Sequence, residues 1–423
     1  MLTPKILTTL PQSTPRSVLA DLVAGVTVAM VALPLSLAIA IASGAAPETG
    51  LVTAIVAGFL ISALGGSRVQ IGGPTGAFIV VVHGVIATHG FDGLVLAMFM
   101  AGAILVVAGV MRAGSLMRLV PEPVINGFTI GIAAIIGLSQ LPDAMGITLP
   151  QGTPADALER IPAIWAARAS FDWPSFATGL GAVLGIVALR RLFPRFPGLI
   201  VAVGSVSAAV MLLHLPVDTL GTRFGALPDR LPLPRLPEIT LARLVDLLPS
   251  ALIIAFLAGI ESLLSAMVAD RMVGGRHRPN AEILAQGVAN LGSALMGGLP
   301  ATGAIARTAT NMRAGGRTPL AGVFHAGIIL AVMMLAAPLA GHLAMPALAG
   351  LLLVTAWNMS EPQHWRAQLT TGRVSDRLLL VLTMLLTVLA DLTVAIGVGV
   401  ALGLALRLHR RNVPPADWTP PER

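Results

Sequence analysis

The sequence predicts an all-α polytopic membrane protein of fourteen segments, arranged as a 7+7 inverted repeat with two half helices, segments 3 and 10. Three observations carry this. First, 55% of the 423 residues are hydrophobic and only 11% are charged, with more long apolar runs than soluble cores contain. Second, the basic residues alternate between successive loops as membrane topology requires. Third, Gly72-Gly73-Pro74-Thr75-Gly76-Ala77-Phe78 is echoed far downstream by Gly297-Gly298-Leu299-Pro300-Ala301-Thr302-Gly303-Ala304-Ile305. Both stretches interrupt apolar sequence with helix breakers, and such a pair in corresponding halves marks a transporter binding site near the bilayer midplane.

Composition also excludes alternatives. The chain has no cysteine, so neither disulfides nor thiolate metal sites are available. Its formal charge of +7 is spread as short basic groups between apolar runs, so topology accounts for it and no nucleic-acid partner is expected. His83, His89, His325 and His342 lack ligand spacing, which argues against a metal site. No metalloprotease motif or serine nucleophile setting is present, so no enzyme is expected. The arginine- and alanine-rich composition, with Lys5 as the single lysine, resembles that of a GC-rich bacterium.

In chain order, residues 1–17 read as a cytoplasmic tail, 18–215 as the first repeat, 216–246 as a connecting loop, 247–409 as the second repeat and 410–423 as a cytoplasmic tail. Segment 1 spans Val18 to Ala42, too long for a signal-peptide core, and Pro34 with Ser36 predicts a kink or local opening near its middle. Segment 2 (Gly50–Leu64) ends in a polar turn, after which Val69-Gln70-Ile71 looks extended. Segment 3, Thr75 to Thr88, covers about 21 Å at about 1.5 Å per residue, short of the roughly 30 Å of hydrocarbon. Segments 4 (Gly93–Met111) and 5 (Val124–Leu141) precede a polar loop, and segments 6 (Ser175–Leu192) and 7 (Gly198–Leu215) complete the repeat. The second repeat holds segments 8 (Leu247–Asp270), 9 (Ala281–Met296), 10 (Thr302–Met312), 11 (Pro319–Gly341), 12 (Met345–Asn358), 13 (Leu378–Ala390) and 14 (Leu392–Leu408). With the N-terminus inside, the outer loops hold only Arg160, Arg168, Arg223, Arg230, Arg235 and Arg243 among the 27 basic residues, and Arg307 lies at membrane depth. An odd number of segments per repeat gives the two halves opposite orientation.

A helix that starts inside the membrane presents unpaired N–H groups and about half a positive charge. Two such ends facing each other would hold a small anion through backbone donors. One interrupted segment alone is more simply a kink, whereas a matched pair favours a site. Glu261, near the middle of segment 8, is an intramembrane carboxylate and hence a candidate to carry a proton through a transport cycle. Ser265 lies one turn on and completes a candidate polar or cation site. Arg307 either adds positive potential beneath the anion, pairs with Glu261 or reaches for the interface.

With those residues in view, the chain resembles the SulP family of anion transporters. The resemblance rests on Asp21-Leu22-Val23-Ala24-Gly25, Leu33-Pro34, Gly72-Gly73-Pro74-Thr75, Pro121-Glu122-Pro123-Val124-Ile125-Asn126-Gly127-Phe128 and Thr302 to Thr308 with Gly315-Gly316-Arg317-Thr318. It implies a core domain (segments 1–4 and 8–11) that moves against a gate domain (5–7 and 12–14), usually in a homodimer. It further implies an anion site made by Thr75, Gly76, Ala77 and Phe78 on one side and Gly303, Ala304 and Ile305 on the other, with Arg307 nearby. Glu261 matches the acidic position associated with cation coupling. Leu35 and Ile39 line the site from segment 1, where many relatives carry glutamine and an aromatic residue. Relatives usually continue into a STAS domain, whereas this sequence ends at Arg423. The expected function is secondary active transport of a small anion such as sulfate, bicarbonate or a dicarboxylate. Coupling to protons, or to sodium, across a bacterial inner membrane is expected, with no organic cofactor; an exchanger, a channel-like uniporter or a motor protein is the alternative.

Overall fold

The computed structural model describes residues 2–114, 121–150, 154, 157–193, 197–390 and 392–409; the expected C-terminal tail lies outside them. Seven described helices are long and apolar enough to cross a membrane, and three shorter apolar ones accompany them. Segment 1 is Pro15–Ala42, started by Thr14 and Ser17, which satisfy each other's backbone N–H groups. It runs unbroken through Pro34. Segment 2 is Pro47–Leu64. A tight turn at Gly76–Phe78 leads into Ile79–Val110, which carries segments 3 and 4 and is divided at Gly90, whose φ of 69° is left-handed. Segments 5, 6 and 7 are Glu122–Met145, Trp173–Leu192 and Gly198–Leu212. Segment 8, Leu241–Val273, starts six residues before its expected first residue, Leu247, because Thr240 caps it and Pro249 is accommodated inside. Segments 9 to 14 are Pro279–Leu295, Ile305–Arg313, Leu320–Ala340, Met345–Met359, Val374–Leu389 and Leu392–His409.

Three short helices fall where only loops are expected: Ala157–Ala166, Leu220–Phe224 and Pro362–Thr371. Each is short and polar enough to escape a search for long apolar runs.

Packing separates two units. Segments 1, 2, 4, 8, 9 and 11 pack on one another, chiefly 9 on 4, 8 on 4 and 11 on 1 and 2, while segment 5 packs on 12 and 13, 6 on 12 and 7 on 6. The broken stretches meet in the first unit as a two-stranded antiparallel pair, β1 (Gly72–Gly73) and β2 (Thr302–Gly303). Gly72 pairs with Gly303 and Gly73 with Thr302.

This pairing corrects the register of the sequence echo. The shared letters align Thr75 with Thr302, yet Thr302 lies inside β2, whereas Thr75 is the cap from which the first half helix starts. The corresponding cap of the second half helix is Ala304. Leu299 and Ala301, the extra residues around Pro300, displace the motif along the strand, so the two threonines have different backbone roles.

Irregular backbone at membrane depth requires local partners. Segment 9 supplies them: Asn290 Nδ2 donates to the Ala301 carbonyl at 2.9 Å, its Oδ1 accepts from the Ala301 N–H at 2.9 Å, and Ser293 Oγ donates to the Leu299 carbonyl at 2.7 Å. From the other repeat, Thr53 Oγ1 accepts the Leu299 N–H at 2.5 Å.

Candidate functional site

One face of segment 8 holds both broken segments. Residues 258, 261, 262 and 265 recur at helical spacing, and each binds a different part of the crossing. Thr302 Oγ1 donates to the Ala258 carbonyl at 2.8 Å and Thr75 Oγ1 donates to Glu261 Oε2 at 3.0 Å. Gln70 Nε2 donates to Ser262 Oγ at 3.0 Å, and Ser265 Oγ shares a 3.2 Å hydrogen bond with Thr308 Oγ1. Thr308 Oγ1 also accepts the Ile71 N–H at 3.1 Å, and the Ala304 N–H donates to the Ile71 carbonyl at 2.9 Å. Ser265 is therefore engaged with segment 10.

The first half-helix end faces the second unit. A Cβ built on Gly76 would lie 3.5 Å from Ile136 Cδ1 of segment 5 and 3.5 Å from Met359 Sδ at the end of segment 12. Ala77 and Phe78 behind it are buried, and Thr75 is half-buried. At the second end, Gly303 and Ala304 are buried, Ile305 is half-buried and Ala306 is exposed. Glu261 is half-buried and opens on a cleft between the units, lined by Val124, Phe128 and Thr129 of segment 5, Ile260 of segment 8 and Ile396 of segment 14. Helix N-termini carry unpaired donors and positive potential, and the carboxylate beside Thr75 is a group able to gain or lose a proton.

Arg307 neither reaches an interface nor pairs with Glu261. Its exposure is 1%, and among the described residues no carboxylate forms an ion pair with it. The guanidinium lies behind the strands: Nη2 donates to Ser36 Oγ at 3.1 Å, and Nη1 occupies the space a Cβ on Gly73 would take, 2.0 Å from that position. It contributes positive charge to the back of the crossing, with its remaining nitrogens, Nε and Nη1, lacking a protein hydrogen-bond partner. Leu35 and Ile39 are buried in the apolar core.

Several residues escape the reading of the sequence. Ser36 was visible only as a neighbour of Pro34, and Gln70 only as part of an extended piece. Ser262 and Glu282 gave no signal beyond being polar in apolar runs, and Ala306 gave none. The contacts of Ser36, Gln70, Ser262 and Glu282 join residues 192 to 271 positions apart.

The sequence pattern of the sulfate permease family matches residues 18–383. YvdB of Bacillus subtilis, named as a candidate sulfate transporter, is 43% identical over 349 residues, covering 81% of this chain and 64% of that protein. The bicarbonate transporter BicA of a Picosynechococcus strain is 31% identical over 347 residues, covering 79% of this chain and 61% of that one. The chain thus spans less than two thirds of the length of these relatives. Among solved structures, the transmembrane domain of a cyanobacterial BicA superposes with a TM-score of 0.81 at 28% identity, covering 93% of this chain and 98% of that one. Murine Solute Carrier 26 family member A9, an anion transporter in its inward-facing state, shares the fold alone, with a TM-score of 0.86 at 18% identity over 97% of this chain and 71% of that one. The family pattern, the sequence relatives and the paired half helices agree: the chain belongs to the sulfate permease family.

Proposed function

We propose that this chain is the membrane-spanning unit of a secondary active transporter for a small anion, an inorganic oxyanion such as sulfate or bicarbonate or a small dicarboxylate, coupled to protons. The observation that carries the reading is the hydrogen bond from Thr75 Oγ1 to Glu261 Oε2, made beside the first half-helix end and at the cleft between the two units. The names of the relatives support the substrate class.

The coupling follows from hydrogen-bond bookkeeping. A hydroxyl has one proton to donate, and an ionised carboxylate only accepts. While Glu261 is ionised, Thr75 spends its proton on it, and the negative charge repels an arriving anion. Once Glu261 is protonated, its own O–H donates to Thr75 Oγ1, the threonine proton turns towards the site, and the repulsion disappears. Anion and proton then favour each other's binding, the requirement for symport. Movement of the first unit against the second carries both across by alternating access, in a homodimer within a bacterial inner membrane with both termini cytoplasmic.

Uptake of labelled sulfate and bicarbonate into liposomes tests this. An inward proton gradient drives accumulation in the wild type, and Glu261→Gln abolishes accumulation while retaining anion exchange. Flux indifferent both to the gradient and to Glu261→Gln sinks proton coupling; accumulation that follows a sodium gradient instead assigns sodium to the same carboxylate. Uptake stimulated only by internal anion identifies an exchanger.

A further inference from the structure

The residue after the coupling carboxylate begins a buried polar chain for which the transport reading has no use. Ser262 Oγ donates to Glu282 Oε1 at 2.8 Å and accepts from Gln286 Nε2 at 2.7 Å and Gln70 Nε2 at 3.0 Å. Gln286 Nε2 also lies 2.9 Å from Glu282 Oε1. The other oxygen of Glu282 accepts the N–H groups of Gly66 and Ser67 at 2.8 and 3.2 Å, closing the turn that leads into β1. Ser262, Glu282 and Gln286 are all 0% exposed and Gln70 is 4% exposed. Gln70 also lies flat on β2, where a Cβ on Gly303 would come within 1.4 Å of its Nε2.

A carboxylate at full burial is costly unless every lone pair is used, and here four donors use them. Capping a turn needs only the two N–H groups. The remaining oxygen takes Gln286, one turn along its own helix, and Ser262, on the helix that carries Glu261. The run from Gln70 to Thr75 is tied to segment 8 at both ends, Gln70 to the hydroxyl and, at 3.2 Å, the carbonyl of Ser262, and Thr75 to Glu261. A helix held at two consecutive residues by the two ends of one short stretch resists rotation and sliding against it.

We propose that Glu282 is a positioning residue which acts through Ser262 to set the rotation of segment 8, and so keeps Glu261 on the Thr75 hydroxyl. It touches neither anion nor coupling proton. The inference rests on the transport reading for its consequence but not for its geometry.

The test uses the full chain with Ser262→Ala, Ser262→Thr and Glu282→Gln. Ser262→Ala removes the hydroxyl that joins Glu282 to segment 8 but leaves in place the cap of Gly66 and Ser67 and the 3.2 Å bond from Gln70 Nε2 to the residue 262 carbonyl, so it folds even where Glu282→Gln does not. The infrared band of the Glu261 carboxyl, identified by its loss in Glu261→Gln, reports the hydrogen bond to Thr75 without any transport. In Ser262→Ala it moves to the position it takes in Thr75→Val, and Ser262→Thr restores it. Gradient-driven sulfate uptake falls about fivefold in Ser262→Ala, the change expected for one weakened hydrogen bond, while anion exchange is retained. An unmoved Glu261 band in Ser262→Ala overturns the proposal. Gradient-independent uptake with a moved band instead removes the proton-coupling reading and leaves the positioning role standing.

Discussion

At the scale of single residues, the two glycines nearest the candidate site make opposite predictions. A Cβ on Gly303 would fall 1.4 Å from Gln70 Nε2, wedged against a buried network. Gly303→Ala is therefore expected to lower the thermal midpoint in detergent and to abolish uptake together, because the glutamine has nowhere to go. Gly76→Ala meets its neighbours at 3.5 Å, ordinary contact distance, so it leaves the thermal midpoint unchanged and weakens anion affinity by intruding on the mouth of the site. Equal loss of stability in the two variants would contradict this division. The residues themselves were partly legible. Glu261 and the helix-breaking stretches announce themselves because a charge or a Gly-Pro pair at membrane depth is costly. Arg307 did not reveal its role, since its partner Ser36 lies 271 positions away and its space is created by the missing side chain of Gly73.

At the scale of elements, buried carboxylates anchor the ends of the broken segments. Asp21 on segment 1 accepts the N–H groups of Arg317 and Thr318 at 2.6 and 3.1 Å and the Thr318 hydroxyl at 2.5 Å, fixing the turn between segments 10 and 11. Asp21→Ala leaves these donors without acceptors and should cost about 2–3 kcal/mol, whereas Asp21→Asn keeps one acceptor and costs less; thermal unfolding in detergent separates the two. The N-terminal tail docks at the opposite turn: the Lys5 N–H donates to Gly65 at 2.9 Å, and Arg278 Nη1 donates to the Thr3 carbonyl at 2.8 Å. Burial, then Arg278 and Arg68, hold the Lys5 ammonium below the ordinary lysine value. A lysine depressed in the docked state binds fewer protons there, so docking is weakest below the depressed value and strengthens as pH rises from it to the ordinary lysine value. Lys5→Met is expected to slow amide exchange at Gly65 to Ser67 near neutral pH, with the advantage shrinking under alkaline conditions. All fourteen segments were legible as elements because hydrophobic runs and breakers are local signals. The short helices Ala157–Ala166 and Pro362–Thr371 were not, because ten residues each carry no run long enough to span.

At the scale of the whole molecule, every hydrogen bond at the crossing stays within one unit, whereas Glu261 and Gly76 look across a cleft at the other. The absence of cysteine makes this testable without background. A disulfide between Ile260→Cys and Phe128→Cys, which line the cleft from opposite units, should stop uptake reversibly; one between Gly185→Cys and Ala202→Cys, whose Cβ atoms would lie 3.3 Å apart inside the second unit, should leave turnover intact under oxidation. Retained uptake with the first pair closed would exclude relative movement of the units. The division also bears on which substitutions the molecule can absorb. The crossing spends its side chains on holding itself together, so most substitutions there are punished through folding. Ile136 and Met359, by contrast, stand beside Gly76 from the second unit and make none of the hydrogen bonds of the crossing. Substitution at those two positions changes the surroundings of the first half-helix end while the hydrogen-bonded crossing beneath it is left as it is.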